Sequence, residues 1–116
     1  MSDAYSIGHH RMKYLDMANM AFAQNNFIAV KGYIDAFLDT VKENSSDSMD
    51  IKLEFDKIMK IKKEAISKSL EDAKELDYLQ KNDYINNNRE QIEINALHDM
   101  KAVCWRVALK NGLFND

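Results

Sequence analysis

The stretch that decides the fold is MKYLDMANMAFAQNNFIAVKGYIDAFLDTV, which runs from Met12 to Val41. Apolar side chains recur in both halves at spacings of three and four residues, the pattern of an α-helix with one buried face. Asn25 and Asn26 interrupt the pattern over a length typical of a tight connection between antiparallel helices. The sequence therefore predicts a helical hairpin. The buried stripe of its second helix is predicted to be Phe27, Val30, Ile34, Phe37 and Val41.

The hairpin resembles a tetratricopeptide repeat at a few positions. Tyr14, Met17 and Ala18 fall where that family places an aromatic residue, a leucine and a small residue. The family also has small residues in its second helix, where this chain has Val30 and Phe37, and no second copy follows about 34 residues later. We therefore interpret the hairpin as a block against which other helices pack.

Gly32 lies inside the second helix of the hairpin. Glycine destabilises a helix interior by about 1 kcal/mol relative to alanine. A glycine at such a position usually has a packing reason, so the sequence predicts that another element lies close to Gly32.

A long third helix is predicted next. Residues 44–48 (NSSDS) indicate a loop, in which Asp47 or Ser48 caps the following helix. From Lys52 to Asp72, charges of alternating sign recur every four residues, which is typical of a solvent-facing helix surface.

The last helix is predicted to follow a second turn. Residues 82–88 (NDYINNN) indicate that turn, with Asn88 and Gln91 as a capping pair. Asn111 and Gly112 indicate the end of the helix.

The predicted fold is a single all-α domain over residues 1–116, because the chain has no proline, three glycines and no alternating apolar pattern typical of strands. It is four-helix bundle-like, with a short N-terminal hairpin packed on a longer antiparallel helix pair. The predicted helices span residues 9–24, 27–43, 50–81 and 88–110.

The hairpin is too short to cover the whole of the longer pair. The most apolar halves are the start of the third helix and the end of the fourth, so the hairpin is expected to pack there. The rest, from about Ile66 to Ile92, is predicted to project as an arm with incompletely covered apolar side chains, which usually indicate a binding partner. The predicted partner-binding residues are Leu70, Leu76, Tyr78, Leu79, Tyr84 and Ile85.

The charge distribution argues against a nucleic-acid-tracking surface, because the net charge is −3 and none of the segments 1–50, 51–81 and 82–116 carries more than one net positive charge. One basic cluster occurs in the third helix, and interleaved acidic residues favour a solvated helix face there. A nucleic-acid-associated accessory protein remains the first alternative. The cluster consists of Lys57, Lys60, Lys62, Lys63 and Lys68.

Few residues indicate catalytic chemistry. Adjacent His9 and His10 point in different directions on a helix, and His98-Asp99 lacks the further ligands of a metal-dependent phosphohydrolase. Glu90 and Glu93 form a carboxylate pair similar to one in all-α nucleotide pyrophosphohydrolases of the MazG type. That resemblance implies a metal-dependent phosphohydrolase, the less favoured alternative. No phosphate-binding loop or activated nucleophile is present, so we predict no enzyme activity, metal or cofactor.

The remaining features favour a cytoplasmic protein without a membrane partner. No signal-peptide segment or apolar run of about 18 residues occurs. Cys104 is the single cysteine and is predicted to be a buried, inert thiol. Helical methionines such as Met59 are interpreted as core residues, with an adaptable binding surface as the alternative. Thirteen lysines, three arginines and eleven asparagines are typical of AT-rich genomes, including those of many phages. The sequence thus predicts a small protein-interaction module (an adaptor, inhibitor or assembly component) that binds itself or another protein.

Overall fold

The computed structural model describes the backbone of residues 3–110 and the side chains of residues 13–110. This part of the chain folds into four helices and contains no strand, which confirms the predicted all-α class. The helices are α1 (Asp3–Ala23), α2 (Phe27–Asp39), α3 (Ser46–Asp72) and α4 (Tyr78–Lys110). The predicted helix end at Asn111 and Gly112 and the side chains of His9 and His10 lie outside the described residues.

Helices α1 and α2 form the predicted hairpin. Asn25 adopts a left-handed conformation with φ 56°, which asparagine tolerates better than most residues. The side chain of Asn26 accepts a hydrogen bond from the backbone N–H of Ala29 at 3.2 Å and thereby caps α2. The two asparagines that interrupt the apolar pattern therefore make the turn.

Helix α2 ends earlier than predicted, at Asp39 instead of residue 43. The Phe37 carbonyl at this end accepts both the Thr40 hydroxyl at 2.6 Å and the Thr40 backbone N–H at 3.0 Å, so one of the last carbonyls of the helix is satisfied. Asn44 then takes a left-handed conformation with φ 61°, which turns the chain toward α3.

Helix α3 begins earlier than predicted, because its cap is Ser45. The Ser45 hydroxyl accepts a hydrogen bond from the backbone N–H of Ser48 at 3.1 Å. Asp47, one of the two predicted caps, lies in the first turn of the helix, where its negative charge interacts favourably with the positive end of the helix dipole. Capping by Asp47 or Ser48 was therefore a wrong prediction.

The largest departure from the predicted boundaries is the turn between α3 and α4, which lies at residues 73–77 instead of 82–88. Asp77 forms the cap of α4, since its carboxylate accepts from the backbone N–H of Gln80 at 3.1 Å. The predicted capping pair lies within α4, where the Gln91 side-chain amide donates to that of Asn95 at 2.9 Å. Helix α4 therefore includes the whole asparagine-rich segment.

Helices α3 and α4 are antiparallel, and every other helix packs against α4. Two ion pairs show the register at one end of this pair: Lys110 lies 3.7 Å from Asp50, and Arg106 lies 3.4 Å from Glu54. The start of α3 therefore lies beside the end of α4, as predicted.

The hydrophobic core lies at this same end and includes residues from all four helices. Phe37, Leu15, Val30 and Cys104 are its largest fully buried side chains. Ile51 from α3 joins the same cluster, so the hairpin closes the core against the α3–α4 pair. The packing of the hairpin on the longer pair is confirmed.

No neighbouring atom explains why residue 32 is a glycine. It is exposed, and a Cβ atom added there would meet nothing within 4 Å. The predicted close approach to Gly32 is wrong, because the buried face of α2 is formed by Val30, Ile34 and Phe37.

Candidate protein-interaction surface

Beyond the hairpin, α3 and α4 continue as a pair, and the molecule reaches 64 Å in its longest dimension. The sparsely buried stretch is longer than the arm predicted from Ile66 to Ile92, and from here on the arm means residues 59–95. Within this stretch Ala73 is the only buried residue, at 0% exposure. Two helices that pack mainly on each other cannot bury both of their apolar edges, because each contributes one narrow contact stripe.

The arm ends in exposed apolar side chains on both sides of its turn. Tyr78 and Leu79 are 77% and 74% exposed at the start of α4, and Leu70 is 45% exposed near the end of α3. Burying a side chain of this size is favourable by about 1.5–3 kcal/mol relative to leaving it in water. Their clustering at one end of the molecule marks a candidate contact surface.

The other three predicted partner-binding residues are half-buried. Leu76 lies in the turn between α3 and α4. Tyr84 and Ile85 lie on α4, which packs against α3 and so has part of these two side chains covered. Of the six predicted residues, Leu70, Tyr78 and Leu79 are therefore the most exposed.

A second part of this surface was missed in the sequence. Met59, which we interpreted as a core residue, is 47% exposed, and half-buried Ile66 lies two turns further along α3. The two side chains line a shallow concave surface of about 530 Å³ together with the stems of Lys60 and Lys63. Their spacing of seven residues was the signal that identifies this face.

The charges of α3 are segregated along the arm. Residues 57–68 contain five lysines and one glutamate, whereas residues 69–77 contain four carboxylates and one lysine. Some of these groups are already paired, with Lys62 3.8 Å from Glu93 on α4 and Lys74 3.5 Å from Glu71. The basic cluster thus forms one half of a charged helix surface whose other half is acidic.

The carboxylate pair of α4 is exposed. Glu93 forms its ion pair with Lys62 across the two helices. Among the described residues, no group of three or more histidine, cysteine, aspartate or glutamate side chains has an arrangement that could hold a metal ion.

His98 packs against the hairpin. Its ring centre lies 5.8 Å from that of Phe22 in an edge-on arrangement, and its Nδ1 atom lies 3.9 Å from the carboxylate of Asp99. Lys101, one turn further along α4, hydrogen-bonds to Asn19, and its ammonium group lies 5.0 Å from the centre of the Phe22 ring. These contacts give His98 and Lys101 a structural role in joining α1 to α4.

Cys104 is fully buried in the core. Burial disfavours the thiolate and raises the pKa of the Cys104 thiol to about 12, since desolvation outweighs a hydrogen bond from the backbone. A thiol with such a pKa is a poor nucleophile at neutral pH, which agrees with the predicted inert thiol.

Comparison of this chain with protein-family models, with curated proteins and with solved structures gives no match. Among the described helices, none combines the length and the apolar character needed to cross a bilayer.

Proposed function

We propose that this chain is a small non-enzymatic protein-interaction module, an adaptor, inhibitor or assembly component, that binds a protein partner through its arm. The observation that carries the proposal is the contrast between the two ends of the molecule. The hairpin end holds nearly all of the buried side chains, whereas the arm buries only Ala73 in residues 59–95. A partner that covers the exposed side chains of the arm removes apolar surface from water, which is the main driving force for association.

The charge of the arm supports a protein partner over a nucleic acid. Lys57 and Lys62 of the basic cluster lie within ion-pair distance of Glu54 and Glu93. A surface that follows a phosphate backbone carries a continuous excess of positive charge. Carboxylates interrupt the basic charge here and dominate it at the tip.

The proposal also places the module in the cytoplasm. The single cysteine is buried as a free thiol, which fits a reducing compartment, where stabilising disulfides are rare.

The test compares Leu79→Asp with Ile28→Asp. Each residue is the second of its helix and is strongly exposed, Leu79 at 74% in the arm and Ile28 at 89% in the hairpin. The two substitutions therefore introduce the same charge at equivalent helix positions with similar small effects on folding. Light scattering over a concentration series measures self-association, and affinity capture from the native host with each variant as bait measures partner binding.

Loss of association or capture with Leu79→Asp, and retention with Ile28→Asp, is the expected result. If neither Leu79→Asp nor Leu70→Asp, at the other exposed leucine of the arm, changes the mass in solution or the set of captured proteins, the arm is not the binding surface and the proposal fails.

A further inference from the structure

One face of α3 carries an apolar stripe that continues past the hairpin. Met59, Lys63, Ile66 and Leu70 follow one another at spacings of four, three and four residues, so they lie along one face of the helix. Met59 and Leu70 are nearly half exposed, and the concave surface of about 530 Å³ lies between the side chains of this stretch. Lys63, which stands between Met59 and Ile66 in this series, also lines that concave surface.

The stripe is flanked by two groups of opposite charge. Lys60 and Glu71 are eleven residues apart, which is close to three helical turns, so they lie on the same edge of the stripe. Lys62 lies on the other edge and forms its ion pair with Glu93 on α4. The edge with Lys60 and Glu71 therefore faces away from α4, and both of these residues are exposed.

We propose that this stripe is the interface between two copies of this chain, with α3 of one copy antiparallel to α3 of the other. The inference rests on the proposed function, because it takes the arm as the binding surface and names its occupant. A two-fold axis near Ile66 places Met59 of one copy beside the partner's Leu70. The same axis places Lys60 of one copy beside the partner's Glu71, and the pair occurs twice because the interface is symmetric.

Charge complementarity selects a second copy in this orientation. Residues 57–62 of one copy, which include Lys60, come to lie opposite residues 69–74 of the partner chain, which include Glu71 and Asp72. A parallel arrangement brings like charges together along the whole contact and is disfavoured. Because Lys60 and Glu71 lie on the same edge of the stripe, this orientation pairs each of them with the other across the axis, as a two-fold symmetric dimer requires.

The contact is small, which sets the expected affinity. The overlap from Met59 to Asp72 spans fourteen residues, or about 20 Å of helix at about 1.5 Å per residue. Interfaces of this size lie at the low end of the range for specific complexes. We expect a dissociation constant of about 1–100 μM, so the dimer forms at the concentrations used for sedimentation experiments.

The experiment is a charge-swap series measured by sedimentation equilibrium at low salt. Lys60→Glu and Glu71→Lys each replace two attractive contacts by two repulsive ones, and each raises the dissociation constant by about tenfold or more. An equimolar mixture of the two variants forms a heterodimer in which both contacts are attractive again. The double variant, which exchanges the two charges, dimerises with the affinity of the unmodified chain.

Lys31→Glu and Asp35→Lys serve as matched controls. They change the net charge by the same amounts at exposed positions of α2, outside the arm. They leave the dissociation constant within twofold, and circular dichroism confirms that every variant folds.

A monomeric chain at 200 μM overturns the inference, as do single variants that dimerise as well as the unmodified chain or a mixture that gives no heterodimer. The proposed function fails separately, and only if Leu79→Asp and Leu70→Asp both leave association with every partner unchanged. A chain that stays monomeric but loses a captured protein with Leu79→Asp retains the proposed function without the dimer.

Discussion

The ammonium group of Lys62 lies 3.8 Å from the carboxylate of Glu93, and this contact ties α3 to α4 at the base of the arm. Lys62 belongs to the basic cluster that suggested nucleic-acid binding, and Glu93 belongs to the carboxylate pair that suggested metal-dependent chemistry. Each side chain has the other as its partner, so the two patterns share a structural explanation.

We predict a weak and salt-sensitive coupling between these two residues. A double-mutant cycle with Lys62→Met and Glu93→Gln, read by urea unfolding, gives a coupling free energy of about 0.2–1 kcal/mol at low salt, because both groups remain partly in water. The coupling falls at 1 M salt, where the Debye length is about 3 Å. The matched cycle with Glu90→Gln in place of Glu93→Gln gives no coupling, and equal coupling in both cycles contradicts the assignment of the pair.

Gly32→Ala is predicted to stabilise the protein. The substitution adds a Cβ atom at an exposed helix position where nothing lies within 4 Å. It also removes the backbone freedom that glycine gives the unfolded chain, so the free energy of unfolding rises by about 0.4–1 kcal/mol. Thermal and urea unfolding measure the change. A loss of stability instead shows that a neighbour does approach Gly32, as the sequence alone suggested.

The hairpin and its core face could be predicted from sequence because the helical period is complete there. Val30, Ile34 and Phe37, three residues of the predicted stripe, are buried in the structure. The connection was equally clear, since Asn25 and Asn26 combine a tolerance for left-handed backbone with a side chain that caps the next helix. Local chemistry and tertiary packing agree in this part of the chain.

The turn between α3 and α4 could not be predicted in the same way, because its segment AKELD, residues 73–77, consists mainly of good helix formers. Its position follows from the register of the helix pair, which the contact of Glu54 with Arg106 helps to fix. Asparagines inside α4 cost at most about 0.7 kcal/mol each relative to alanine, less than the packing that the register provides.

The candidate surface was predicted in part for the same reason. The exposure of Leu70 and Leu79 was predicted from helix lengths, because the short hairpin does not reach that far along the longer helix pair. Met59 was missed because an apolar residue in a helix is usually buried. Which face of α3 the hairpin leaves open is decided by tertiary packing.

Cys104 is predicted to make the protein less stable at alkaline pH. The ordinary thiol pKa of 9.0 applies in the unfolded chain, whereas burial raises the pKa of Cys104 to about 12 in the folded protein. Between these values the unfolded state binds fewer protons, so this group's stabilising contribution is complete below pH 9 and is lost as pH rises toward 12. The loss is at most about 1.4 kcal/mol per pH unit.

Cys104→Ala isolates this effect from other alkaline titrations. Unfolding free energies measured from pH 8 to pH 10.5 fall more steeply for the unmodified chain than for the variant. Parallel curves contradict the raised pKa. A thiol reagent at pH 8 provides an independent measurement, because it modifies Cys104 only after denaturant unfolds the protein.

Asp77→Ala and Asn88→Ala distinguish the two possible starts of the last helix. In the structure Asp77 caps α4, and Asn88 lies eleven residues further on, inside the helix. Asp77→Ala removes the acceptor for the Gln80 N–H and is expected to lower the free energy of unfolding by about 1 kcal/mol. Asn88→Ala replaces a half-buried interior residue by the best helix former and changes the free energy by about 0.5 kcal/mol or less. Hydrogen exchange gives the local answer, since Asp77→Ala speeds exchange of amides in the first turn of α4. The reverse order of the two effects places the start of the last helix at Asn88 and divides the arm at a different turn.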